Sequence, residues 1–128
     1  MIAGISGATT EAVMLELDAA SLRHQAIANN IANAGTPGYT PLKVNFEEQL
    51  TAFRQAMDGS DAQAHSALQG VKGFIEEDLA AAGRGASNVM LDMEVVKLSQ
   101  NVVHYQSLLR ALGNQMSIIS AAINEGKR

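Results

Sequence analysis

Residues 91–123 read LDMEVVKLSQNVVHYQSLLRALGNQMSIISAAI, and this stretch decides the fold. Leu91, Val95, Leu98, Val102, Tyr105, Leu109, Leu112, Met116, Ile119 and Ile123 follow one another at alternating steps of four and three. Two apolar positions in every seven mark an α-helix that packs lengthwise along another helix. A helix carrying all of them is about 50 Å long at about 1.5 Å per residue. Asn88 or Ser87 suits its cap, Asp92 and Glu94 its positive end, and Lys127 and Arg128 its negative end. Gly113 falls inside the pattern and costs about 1 kcal/mol relative to Ala. The register continues across it, which predicts the close approach of a neighbouring helix rather than a break.

Such a stripe needs a partner, and the sequence offers one upstream. Val13, Leu17, Ala20, His24, Ile27, Ile31 and Ala34 repeat the same spacing. The uncharged start MIAGISGAT with its two glycines predicts a frayed or extended lead-in, with Thr10 as the N-cap. Asn33-Ala34-Gly35 offers a left-handed cap at the other end. Thr36-Pro37-Gly38-Tyr39 then has Pro at i+1 and Gly at i+2, the arrangement of a type II turn. Asn45 with Glu48 three residues on, and Phe46, Leu50, Phe53 and Met57 on one face, predicts a short second helix. From about 58 to 87 no period is sustained. That segment reads as a loosely ordered connection, and Glu76-Glu77-Asp78 within it as a solvated acidic run.

The fold class expected is therefore all-α, with long N- and C-terminal helices pairing as a coiled-coil-like domain, a short helix and a poorly ordered centre. Residues 1–50 and 88–128 form one discontinuous domain, and 51–87 a variable central segment. The upstream stripe spans 22 residues against 33 downstream. Val96, Val103, Leu108 and Ile118 widen the apolar surface. A two-helix hairpin leaves much of it bare, and bare apolar patches mark association sites. Val13, Leu17, Ile27 and Ile31, with the downstream stripe, are the candidate interface residues.

Composition narrows the function. The chain has 128 residues, 47% of them hydrophobic but only 4% aromatic. That favours helix-on-helix seams over an aromatic core or a pocket for a flat cofactor. There is no cysteine, so disulfides, thiolate metal sites and a thiol nucleophile are excluded. The net charge is −4, and no segment has the basic surplus that nucleic-acid binding needs. No apolar run reaches membrane-spanning length. No basic residue precedes Arg23, so no ordinary secretory signal is expected. His24 and His104 stand alone, without another His or a carboxylate three or four residues away, and His65 has only Asp61 four residues before it, too few groups for a metal or catalytic cluster. His24, in the upstream stripe, reads as packed or interfacial, and His104 as flanking surface. Gly83-Arg84-Gly85 lacks the Lys-Ser/Thr of a phosphate loop. No catalytic, cofactor or metal residues are expected, and the chain is not read as an enzyme. Asn29, Asn30 and Asn33 are conspicuous, because Asn is a poor helix former. They either fray the helix into its cap or make hydrogen bonds that fix helix register.

The segment Asn30-Ile31-Ala32-Asn33-Ala34-Gly35-Thr36-Pro37-Gly38-Tyr39 resembles the N-terminal signature of the bacterial flagellar rod and hook proteins. Asn29 adjoins it. Asn45-Phe46 followed by Leu50 is similar to the continuation in the proximal-rod members of that family. Ser87-Asn88-Val89-Met90-Leu91-Asp92 resembles the motif that opens their C-terminal helix, and Tyr105–Leu112 and Ala122-Ile123 its later course. Met90 departs from the usual acidic residue and Thr40 from a frequent basic one. The resemblance implies a structural subunit that polymerises through its terminal helices into the axial tube. The partners implied are other copies, other rod proteins, and basal-body ring and export-gate proteins. The location implied is the periplasmic rod, reached by type III export without a cleaved signal, with Met1–Thr9 as the candidate export segment. The alternatives are another rod subunit, or a soluble coiled-coil adaptor or export chaperone.

Overall fold

The structure, a computed structural model, describes residues 2–46, 51, 73–82 and 91–127. Helix α1 spans Ile2–Ala32 and helix α3 spans Leu91–Glu125. Between them lie strand β1 (Leu42–Asn45), strand β2 (Phe74–Glu77) and a single helical turn, α2 (Leu79–Ala82). The long helices run antiparallel, because Asn30 meets Glu94, Ala20 meets Asn101, and Glu16 meets His104. The paired helices agree with the expected all-α, coiled-coil-like architecture, to which the structure adds a two-stranded ribbon.

The start of α1 differs from expectation. The backbone is helical from Ile2, so Thr10 lies inside the helix and is not its cap. Gly4 and Gly7 each cost about 1 kcal/mol. That is too little to stop a helix in which each added residue gains a hydrogen bond. The end of α1 differs too. Gly35 has no positive φ; only Gly38, at +75°, does so among the described residues. The chain leaves the helix through Asn33 instead. Its Nδ2 donates to the Asn29 carbonyl at 2.9 Å, and its own carbonyl accepts from Thr36 N–H at 2.9 Å. The expected turn follows: Tyr39 N–H donates to the Thr36 carbonyl at 3.3 Å, with Gly38 in the left-handed region a type II turn requires at i+2.

The ribbon overturns two further expectations. Asn45 does not cap a helix; it is the last residue of β1, opposite Phe74. Positions 47–50 and 52–57 of the expected short helix lie outside the described residues, as do the predicted caps Ser87 and Asn88. The acidic run is not a solvated loop. Glu76 and Glu77 pair with Lys43 and Leu42 across the ribbon. Lys43 Nζ is 3.6 Å from Glu76, and Asn45 Nδ2 donates to the same carboxylate at 3.3 Å. Asp78 N–H donates to the Pro41 carbonyl at 2.7 Å, while its carboxylate accepts from Ala81 N–H at 3.2 Å and so caps α2. Leu42 and Val44 are half-buried and Lys43 is exposed, the alternation of a strand with one face on the helices.

Among the described residues the buried hydrophobic side chains are Ala19, Ala20, Ala26 and Ile27. Small side chains on α1 let α3 come close. The α3 line turned toward α1 runs through Glu94, Leu98, Asn101, Leu108, Leu112, Gln115 and Ile119, all buried or half-buried. It overlaps the apolar stripe but is displaced from it by one residue at alternate positions.

Candidate functional site

Asn30 is the hub of a buried polar junction. It lies on α1 three residues beyond Ile27 and is 2% exposed. Its Oδ1 accepts from Leu42 N–H at 2.7 Å and from the Tyr39 hydroxyl at 2.9 Å. Its Nδ2 donates to the Leu42 carbonyl at 2.9 Å and to Glu94 Oε2 at 3.2 Å. A side-chain amide can make two bonds at each end, so Asn30 is saturated. Its amide pairs with both backbone groups of Leu42, as a neighbouring strand would. One side chain therefore ties together α1, the Pro37–Gly38 turn, the start of β1 and the first turn of α3.

Glu94 supplies the far side of the junction. It is 5% exposed, and its other oxygen accepts from Lys97 Nζ at 2.8 Å. Its place in the first turn of α3 favours a negative charge there. Burial pushes the Tyr39 hydroxyl above its usual pKa, and the Glu94 carboxylate adds to that rise. Tyr39 is thus held as a neutral donor. Two turns further along, Asn101, 6% exposed, donates to the Ala20 carbonyl at 2.8 Å. Nearer the middle of the pair, His104 Nε2 lies 3.3 Å from Glu16, which also stands 4.0 Å from Arg23. The Arg23 guanidinium sits 4.5 Å from the centre of the Phe46 ring, and both residues line a groove of about 450 Å³ beneath the ribbon. His104 is exposed as expected; His24 is exposed rather than packed.

The candidate interface residues divide. Val13, Leu17, Ile31, Leu98, Leu112 and Ile119 are half-buried and Ile27 is buried. Leu91, Val95, Val102, Tyr105, Leu109, Met116 and Ile123 are exposed, and Val96, Val103 and Ile118 beside them are as well. A line of apolar side chains thus runs the length of α3 with nothing from this chain over it among the described residues. The helix runs unbroken through Gly113, but nothing within the described chain stands within 4 Å of a Cβ placed there, so the expected close neighbour is not provided by the described residues. Of the family-like segment, Asn30 is buried, Asn33 and Tyr39 are half-buried, and Asn29, Thr36, Pro37 and Gly38 are exposed at the corner. Sequence reasoning missed Glu94, Asn101 and the Leu42 backbone. The available signal was a polar pair seven residues apart, beside an apolar seam.

A family model described as "Flagella basal body rod protein" matches residues 17–40, the second half of α1 and the corner through Tyr39. The flagellar basal body rod protein FlgB of Bacillus subtilis is 28% identical over 122 residues, covering 87% of this chain and 89% of that protein. FlgB of Borreliella burgdorferi is 27% identical over 120 residues, covering 84% and 89%. The chain is thus similar to flagellar basal-body rod proteins, by the family model around its first corner and by FlgB over most of its length. No solved structure matches. In this chain the matched segment contains Asn30 and Tyr39 and ends two residues before β1. The signature therefore encodes a joint, and each of its polar side chains that is not at the surface has a hydrogen-bonding task there. Among the described residues no helix is long and apolar enough to cross a membrane.

Proposed function

We propose that this protein is a structural subunit of the flagellar basal-body rod and polymerises through its terminal helices into the axial tube. The observation that carries the proposal is the bare apolar line along α3 in a chain aligned with FlgB over most of its length. Exposed Val95, Val102, Leu109, Met116 and Ile123 cost free energy in water and gain it when another subunit covers them, about 25 cal/mol per Å² removed from solvent. The junction at Asn30 fixes the angle between the helix pair and the ribbon, so each copy presents the same shape to the next. In this reading the partners are other copies, other rod proteins, and ring and export-gate proteins of the basal body. The place is the periplasmic rod, reached by type III export without a cleaved signal, and the role is structural, with no catalytic step.

The test is a deletion strain complemented in trans. The strain should lack motility and complete rods, and the wild-type gene should restore both. Leu109→Asp should restore neither, although Leu109 is exposed in the single chain and the variant should fold as the wild type does. Motile deletion cells, or full rescue by Leu109→Asp, would overturn the proposal.

A further inference from the structure

The ribbon has two edges, and they differ. The Asn30 amide engages both the N–H and the carbonyl of Leu42, so these groups point away from β2. On the other side, Asp78 N–H donates to the Pro41 carbonyl at 2.7 Å. In an antiparallel ladder, opposed residues that bond each other alternate with opposed residues that do not. Pro41–Asp78, Lys43–Glu76 and Asn45–Phe74 are therefore the pairs bonded across the ribbon. Leu42–Glu77 and Val44–Ile75 are the pairs whose N–H and carbonyl groups point outward. The outer edge of β1 is closed at Leu42, where Asn30 takes the place of a third strand. On β2 the outward N–H and carbonyl groups of Ile75 and Glu77 have no hydrogen-bond partner among the described residues. An open row of this kind is a template for another strand.

The side chains along the open edge set the terms for what pairs with it. Leu42, Val44, Ile75 and Glu77 share one face of the ribbon, and Lys43, Asn45, Phe74 and Glu76 the other. Val44 and Ile75, both half-buried, form an apolar row that ends at the open edge. Glu76 is already engaged by Lys43 and Asn45. Glu77 is exposed, and its carboxylate has neither an ion pair nor a hydrogen bond among the described residues. A third strand thus meets an apolar position at Ile75 and a lone negative charge two residues on. Opposite charges on cross-strand neighbours stabilise a pair, and like charges destabilise it. The ribbon of a second copy does not suit this edge. Pairing β2 with β2 would bring Glu76 and Glu77 of both copies into one small sheet, in a chain of net charge −4, and the β1 edge of the second copy is closed by its own Asn30.

We propose that the open edge of β2 takes an extended segment of another protein as a third strand, with a Lys or Arg opposite Glu77 and a β-branched apolar residue opposite Ile75. The strand runs antiparallel to β2, the pairing that is more stable per residue. Its basic residue therefore precedes its apolar one by two positions. It exchanges both main-chain bonds with Ile75 and both with Glu77. The charge fixes the register: a slip of two residues sets the basic side chain against Ile75 and leaves Glu77 unanswered, and a slip of one turns both side chains to the other face.

The probe is the synthetic peptide acetyl-Thr-Lys-Thr-Val-Tyr-Thr-amide, titrated into the isotope-labelled full-length chain and followed by amide resonances and hydrogen exchange. Its Lys stands opposite Glu77, its Val opposite Ile75 and its Tyr opposite Phe74. The expected result is saturable shifts and slowed exchange at the Ile75 and Glu77 N–H groups, with Glu76 N–H protected before and after. With Glu in place of the peptide's Lys, binding should weaken about fivefold, as attraction between exposed charges becomes repulsion. Glu77→Lys should reverse that preference. A methyl group on the peptide's Val nitrogen removes the donor to the Ile75 carbonyl and should abolish the shifts. No saturable shift at Ile75 and Glu77, or equal binding of the N-methyl peptide, would overturn strand addition. Equal binding of the Lys and Glu peptides to the wild-type chain would overturn the role of Glu77. Shifts at Ile75 and Glu77 on concentrating the chain alone would overturn the choice of occupant in favour of a second copy. None of these readouts uses motility or rod completion, so they stand apart from the rod-subunit reading.

Discussion

Replacing Asn30 separates shape from hydrogen-bond polarity. Asn30→Ala removes four hydrogen bonds, two accepted and two donated. At about 0.5–1.5 kcal/mol net each, and with some partners regaining water, the loss should be about 3 kcal/mol. Asn30→Asp keeps the size and the two accepted bonds, so a steric argument makes it the milder change. The structure says the opposite. The new oxygen would face the Leu42 carbonyl, and it would lie where Nδ2 now stands, 3.2 Å from Glu94 Oε2. Two unit charges at that distance repel by about 5 kcal/mol at an effective dielectric near 20. Uptake of a proton by one carboxylate limits the penalty, so Asn30→Asp should cost about 4–5 kcal/mol near neutral pH. The penalty should shrink as the buffer is lowered from about pH 8 to about pH 5, because the proton that relieves the clash becomes easier to bind. The assay is urea unfolding of the purified chain, followed by far-ultraviolet circular dichroism and tyrosine fluorescence at several pH values. If Asn30→Asp is no less stable than Asn30→Ala, or its deficit is the same at every pH, the amide does not sit between Leu42 and Glu94 as described.

Tyr39→Phe should cost about 1 kcal/mol, one hydrogen bond, at neutral pH. The Tyr39 hydroxyl has a raised pKa in the folded chain, so its stabilising effect is complete below the unfolded value near 10 and is lost as the pH rises from there through the folded value. Alkaline urea titrations should show this loss in the wild type and a smaller one in Tyr39→Phe. Gly38→Val puts a β-branched residue at φ +75° and should cost about 1–3 kcal/mol in the same unfolding assay. It should also reduce swimming on soft agar, whereas the exposed Thr36→Ser at the same corner should not. Leu109→Asp should leave the unfolding curve of the dilute chain within about 0.5 kcal/mol of wild type, as expected of a surface substitution, while abolishing rescue of motility. A large stability loss would mean that α3 is turned the other way in the isolated chain.

The long helices were legible because periodicity is local. The stripe from Leu91 to Ile123 outlines α3 within two residues of its end at Glu125, and Pro37-Gly38 marks the corner after α1. What periodicity does not contain is the identity of the partner. An apolar line is the same whether it meets a helix of its own chain or of another, and here it is divided between the two sides. Glu94 and Asn101 stand toward α1 because α1 offers them Asn30 and the Ala20 carbonyl. The ribbon was illegible for a related reason. Its strands are four residues each and lie 29 or more positions apart at every pair. Two alternations are too few to distinguish from chance, and neither strand has a hairpin signal. Asn30 stands out in the sequence as unusual and as part of a family-like segment, but its four bonds go to three residues, Tyr39, Leu42 and Glu94, the last of them 64 positions away.

The distances along the sequence at which this structure closes carry a consequence for timing. The contacts that join α1 to α3 link residues 64, 81 and 88 positions apart. Closing loops of that size costs conformational entropy before any contact repays it, and such non-local closure is slow. Neither half of the Asn30 junction is complete alone: residues 30–42 provide three of its four bonds, and Glu94 the last. Whichever end of the chain is made first must wait for the other. The native pairing is thus a terminal event of folding, and a chain with only one end available lacks the contacts that lock the two helices together.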